Sequence, residues 1–276
     1  MSTTAGTLTL APARPNFRAA TLTDAIRSEW TKTRSVPSTA WTLLCAVGLG
    51  VGLGALISAL TARQYAKGNL GSRVTWDPTS ISTAGLSIAQ LAIGVLGIMI
   101  ITSEYSTRAI TADLTAVPRR GRYLAAKAVV ILTVTFVVSA VTAFAAFFLG
   151  QALISGNAPT ASLGQPDVLR ALVGCALYGM LIGLFGLALG TILRSAAAAI
   201  AVLVAVLFVL PAIAAALPTN VERPVEEWWP TQAGQQVTSV VRAAHTLGPW
   251  TGLGVLALFV ALTLAAAATT LIRRDA

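Results

Sequence analysis

The chain has 276 residues, 55% of them hydrophobic and only 11% charged, with a formal net charge of +9, and its mean hydropathy is +0.77. Apolar runs of about twenty residues exceed what a soluble core of this size uses, so the composition describes a polytopic membrane protein. The basic residues lie between hydrophobic runs and not on one water-exposed face, which argues against nucleic-acid binding; the two cysteines, Cys45 and Cys175, fall inside apolar segments and suggest neither a disulfide framework nor a thiolate metal site.

Residues 1–20 are rich in Thr, Ala and Pro and lack the apolar core of a signal peptide. They read as a disordered tail, and residues 21–276 as one transmembrane domain. A short amphipathic helix is expected next. Leu22, Ile26 and Trp30 recur at i, i+4 and i+8, Glu29 belongs to the same element, and Thr21 with Asp24 resembles a capping box. Arg27, Lys32 and Arg34 suit anionic headgroups and Trp30 suits interfacial depth, so the helix is expected to lie in the membrane surface, as a simple anchor or with a further role.

Six apolar windows follow, at about residues 40–60, 83–102, 124–151, 168–192, 196–217 and 251–272. An even number of spans puts both termini on one side. Thirteen of the nineteen Lys and Arg residues fall on that side, which the positive-inside bias makes cytoplasmic.

Span one carries Gly48, Gly50, Gly52 and Gly54 as two overlapping GxxxG pairs, and span four carries Gly179 and Gly183; both read as tight packing surfaces. In span two, Thr83, Ser87, Gln90, Gly94 and Gly97 advance by four, three, four and three, sharing one helix face. Such a stripe serves helix packing or lines a substrate path. Span three repeats the pattern with Thr135, Ser139, Thr142 and Ala146.

Between spans two and three lie Arg108, Arg119, Arg120, Arg122 and Lys127. The positive-inside bias accounts for this charge but not for the pattern within it. Ile110, Leu114 and Val117 recur at i, i+4 and i+7, and Pro118 closes the run. This predicts a short helix that docks another protein, or one that only lies against lipid or against its own bundle. Glu104 and Arg108, four residues apart, read as a helix-end ion pair.

Span five has no hydrogen-bonding side chain, and Pro211 is expected to kink it. In the long connection after it, Trp228, Trp229 and Trp250 suit an aromatic belt. Val237, Val240, Val241, Ala244 and Leu247 predict an amphipathic helix that caps the outer mouth of the bundle or simply lies at the interface.

No span carries an ionisable residue near its centre; Glu104, Lys127 and Arg170 sit near span ends. A proton-coupled carrier has no obvious residue to work with. No Gly-Lys pair exists to form a P-loop, and the lone His245 has no partners at ligand spacing, so the chain reads as no enzyme and as binding no cofactor of its own.

The run Glu104, Tyr105, Ser106, then Ile110, Leu114, Val117, Pro118, Arg119 and Arg120, preceded by the N-terminal amphipathic helix, resembles the membrane subunits of ABC-2 type ABC transporters, in the form common among actinobacterial permeases. It departs from them at Arg108, where the family often has Gly, and at Thr111, where it often has a basic residue. The resemblance implies an all-α fold of six transmembrane helices with an interfacial N-terminal helix and a cytoplasmic coupling helix. In that helix Glu104, Arg108, Ile110, Leu114, Val117, Arg119 and Arg120 would meet a separate ATPase subunit. It further implies ATP and Mg in that partner, a second permease as homodimer or related chain, lipid contacts, and export of a hydrophobic or amphipathic compound such as a drug, antibiotic or lipid across the plasma membrane. A scaffold or sensor that recruits a cytoplasmic partner without transport is the alternative.

Overall fold

Proline and acidic caps start several elements of the chain, and these local signals coincide with the helix boundaries. A computed structural model describes residues 21–68, 76–107, 120–241 and 246–273. The tail at 1–20 and the expected docking helix at 108–119 lie outside the described residues.

The described elements are α1 (Leu22–Ser35), α2 (Pro37–Ala66), α3 (Pro78–Thr83), α4 (Leu86–Ser106), α5 (Arg120–Ile154) and α6 (Val168–Leu193). Then come α7 (Ala196–Val204), a π-helical turn (Ala205–Val209), α8 (Leu210–Ala214), α9 (Thr219–Trp228), α10 (Pro230–Gln235), a 3-10 turn (Gln236–Thr238) and α11 (Pro249–Arg273). Six stretches are long and apolar enough to cross a membrane: α2, α4, α5, α6, the run α7 to α8, and α11. The protein is an all-helical, multi-pass membrane protein.

The expected capping box is present: the Thr21 hydroxyl accepts from Asp24 N, and the Asp24 carboxylate accepts from Thr21 N at 3.0 Å. On α1, Leu22 and Trp30 are exposed, while Ala25 and Glu29 are buried.

Helix α6 is the centre of the bundle, with 83% of its apolar window buried against 17% for the α7–α8 run. Glycines let α4 cross it closely. A Cβ on Gly97 would meet the Gly183 carbonyl, and one on Gly186 the Gly94 carbonyl, closer than real Cβ atoms come to backbone. In α2 only one of the two GxxxG pairs is used within the chain. Gly50 and Gly54 face Thr142, Ser82 and Ala146, whereas Gly48 and Gly52 have open space beside them.

Two expectations change. Span two is not one helix from Thr83: Asp77 and Pro78 start α3, which ends at Thr83, and α4 begins at Leu86. The expected helix through Val237 and Val240 is absent, since after the 3-10 turn the backbone is extended at Ser239. Side chains replace helical bonding there. Asp77 accepts from Val240 N at 2.9 Å and Val241 N at 3.0 Å, and Arg170 donates to the carbonyls of Val237 and Ser239 at 3.1 and 3.0 Å. The helices of this connection are α9 and α10 instead.

Pro211 perturbs span five as a π-turn just before it. In the π register the donor for the Val206 carbonyl would be residue 211, and proline has no N–H. Trp229 supplies one from its indole at 3.0 Å. Trp229→Phe is therefore expected to destabilise by about 1–3 kcal/mol through an unsatisfied carbonyl. Adding Pro211→Ala should recover part of the loss by restoring a backbone donor, as thermal unfolding of the purified protein would record.

Candidate functional site

The end of the bundle that carries α1 also receives the end of α4 and the start of α5, the two helices that flank residues 108–119. At about 1.5 Å per residue the 35-residue α5 runs to about 52 Å, well beyond a hydrocarbon core of about 30 Å. Its first turns therefore sit near a membrane surface. There the structure gathers four charged side chains, three of them buried.

Lys127, 1% exposed, donates to Glu29 Oε2 and to Glu104 Oε1, both at 2.6 Å. Tyr123, one turn earlier on the same face of α5, donates to the second oxygen of Glu104. The Lys127 ammonium also lies 4.9 Å from the Tyr123 ring centre. Lys32, partly exposed, adds pairs of 3.1 Å to Glu29 and 3.3 Å to Glu104. Two carboxylates and two ammonium groups thus balance, and one cluster ties α1, α4 and α5 together. Burial of such ions is tolerable only with this degree of pairing.

Two further contacts fasten the same end. Arg120, the first residue of α5, donates to the carbonyls of Leu271 at 2.9 Å and Ile272 at 3.3 Å, at the end of α11. Arg194, which ends α6 in a left-handed cap, lies over the Tyr105 ring at 5.3 Å. Beside the cluster is a cavity of about 330 Å³, bounded by α1, the start of α2 and α4, with Thr39, Met99 and Ile100 on its wall.

Of the residues expected at a docking surface, Glu104 and Arg120 are described, while Arg108, Ile110, Leu114, Val117 and Arg119 lie outside the described residues. Glu104 is buried and engages Lys127, Lys32 and Tyr123, a richer partnership than the ion pair expected with Arg108. On α1, Glu29 and Lys32 reach the bundle and Ala25 is buried, whereas Ile26 is half-buried. Lys127 itself went unread as a site residue, because a lysine near a span end ordinarily reaches for the surface.

The stripe of span two divides among three surroundings. Gly94 and Gly97 pack against α6 and α7. Gln90 is buried and accepts from the Tyr178 hydroxyl at 2.6 Å. Thr83 and Ser87 line a cavity at the far end of the bundle.

No curated protein matches the chain. The model of the ABC-2 family transporter proteins matches residues 25–212, from the face of α1 that carries Glu29 through the Pro211 turn, and so includes every element joined by the charged cluster. The chain belongs to the ABC-2 transporter family, as a membrane permease component of an ABC transporter.

Proposed function

We propose that this chain is the membrane subunit of an ATP-driven exporter, multi-pass in the plasma membrane with both termini and the α1 end cytoplasmic. It would carry a hydrophobic or amphipathic compound outward. The energy comes from a separate ATPase subunit that holds ATP and Mg and docks on residues 108–119, and a second permease, identical or related, completes the pathway. The observation that carries this reading is the buried cluster of Glu29, Glu104, Lys127 and Lys32. It brackets the docking segment on both sides and fastens it to α1, so a pull on that segment moves α4, α5 and α1 as one body. The segment between Ser106 and Arg120 is then left to the partner.

Leu114→Asp places a charge on the apolar face read for the docking helix. The variant is expected to insert into the membrane normally and to lose a Walker-type ATPase from its detergent-purified complex, seen by mass spectrometry. Undiminished ATPase recovery would overturn the docking assignment. The exporter reading also predicts that amphipathic compounds stimulate ATP turnover by the intact complex.

A further inference from the structure

Helices α1 and α2 meet at Val36, a single extended residue that ends the first and starts the second. In the angle between them, with α5 at its side, lies a cavity of about 230 Å³ whose wall includes Trp30, Arg34, Leu43 and Val134. Thr33 and Thr39 belong both to this wall and to that of the 330 Å³ cavity beside the charged cluster. Most of the polar groups here are donors in want of an acceptor. Arg34 is exposed and makes no ion pair or hydrogen bond with the described residues, and the indole N–H of Trp30 has no acceptor among them. Thr39 is 9% exposed, yet its hydroxyl has no partner among the described residues either. A threonine within a helix gives its hydrogen to the carbonyl four residues back, as Thr42 does to Ser38 at 2.9 Å. For Thr39, the third residue of α2, that carbonyl belongs to Ser35, before the helix begins. Only Thr33, which donates to the Glu29 carbonyl at 2.9 Å, has its hydrogen engaged. The 30-residue α2 starts at Pro37 without a side-chain cap, so the positive end of its dipole adds to the same corner.

No carboxylate competes for these donors. The three helices around the cavity contain two, Asp24 and Glu29. Asp24 caps α1, and Glu29, together with Glu104 of α4, is engaged by Lys127 and Lys32. Arg27, seven residues before Arg34 on the same side of α1, is exposed as well and adds to the positive charge. Deeper along the bundle the corner turns apolar. Leu43 and Val134 form that part of the wall, and Val137 and Val141, which follow Val134 on its side of α5, are exposed.

Unengaged donors and positive charge above an apolar strip match a ligand that carries an anion on a hydrocarbon tail. A phosphodiester has that character: its oxygens accept only, and the guanidinium fork suits two of them at once. A choline or ethanolamine head would add a cation beside Arg34 and Arg27 with no carboxylate to receive it, whereas a head without a cation brings no such conflict. We propose that this corner binds the phosphate of one anionic phospholipid from the leaflet at the α1 end. Arg34 is its chief contact, Trp30 and Thr39 are further donors, and Leu43 and Val134 receive the first carbons of an acyl chain. The cavity has the volume of about seven waters, room for the phosphate and the glycerol carbons beside it. Composition alone implies a diffuse attraction of a basic α1 to the membrane; the structure adds a discrete site, and this inference stands apart from the exporter reading.

The test titrates the full chain, purified in detergent and stripped of native lipid, with dioleoylphosphatidylglycerol or dioleoylphosphatidylcholine, and counts bound lipid by native mass spectrometry. One phosphatidylglycerol per chain is expected to bind about tenfold more tightly than phosphatidylcholine; equal affinity would overturn the proposal. Arg34→Gln, at an exposed position that leaves the packing intact, should lose that tenfold preference. Arg27→Gln removes the same charge from the same side of α1 but from outside the cavity, and should weaken binding by no more than about threefold. Equal losses in the two variants would mean diffuse attraction by α1 and would overturn the discrete site. Thr39→Val should weaken phosphatidylglycerol binding about fivefold and leave phosphatidylcholine unchanged. Displacement of the lipid by millimolar inorganic phosphate would reassign the corner to free phosphate, and equal competition by oleate would reassign it to any anion on a tail; either result overturns the phospholipid assignment. Recovery of an ATPase with the chain is a separate measurement, so the lipid site and the exporter reading can fail independently.

Discussion

Lys127→Met is expected to cost the folded protein about 3–5 kcal/mol, the range for breaking a buried ion pair by removing one partner. The loss leaves the carboxylates of Glu29 and Glu104, 5% and 8% exposed, facing each other across the space that the ammonium filled. Lys32 remains within 3.1 and 3.3 Å of them, so the cluster retains one cation for two anions. Its head is partly open to solvent, which screens its contribution, and Lys32→Ala is accordingly expected to cost no more than about 1 kcal/mol. Pairing Lys127→Met with Glu29→Gln restores the charge balance and should recover much of the loss. Denaturant or thermal unfolding in detergent of the wild type, Lys127→Met, Glu29→Gln and their double variant would give the coupling directly, with Lys32→Ala measured beside them. A Lys127→Met loss no larger than that of Lys32→Ala would mean that the cluster does not hold the three helices together.

Gly97→Leu is expected to have the next largest effect, by a steric route. Its new Cβ would meet the Gly183 carbonyl, part of a rigid helix that cannot step aside as a side chain end can. Helices α4 and α6 would have to separate, and because α6 is the most buried span, the strain would spread to α5 and α7. Overpacking of this kind costs about 1–3 kcal/mol, occasionally more. Gly48→Ala provides the control, since nothing lies within 4 Å of a Cβ there. It should be neutral or stabilising by up to about 1 kcal/mol from helix propensity. The yield of monodisperse protein on size exclusion and its thermal midpoint distinguish the two. Equal behaviour would mean that the α4–α6 crossing is looser than the backbone places it.

Much of the fold was legible because its signals are local. Six apolar windows, the Thr21 and Asp24 capping box and the disturbance at Pro211 can each be read within about twenty residues. Asp77 followed by Pro78 is a helix-start signal too, obscured by the apolar run that continues beyond it into the span. The helix expected through Val237 and Val240 failed for a different reason. Its hydrophobic period is real, but Asp77 and Arg170, 163 and 67 residues away along the chain, take its backbone groups.

The candidate site was readable only in part. Glu29 and Glu104 were noted on their own elements, yet their common partner lies 98 residues from one and 23 from the other. No spacing rule connects them.

By itself, then, the sequence determined six stretches long and apolar enough to cross a membrane, the capping box that starts α1 and the disturbance at Pro211. These follow from hydrophobic length, capping chemistry and the missing N–H of proline, which need no knowledge of neighbours. Only the tertiary structure decided which glycines meet a backbone, which polar residues pair and which way their hydrogens point. Burial creates those constraints: a charge or carbonyl withdrawn from water must find a partner, and the partner is set by the packing of helices distant in the chain.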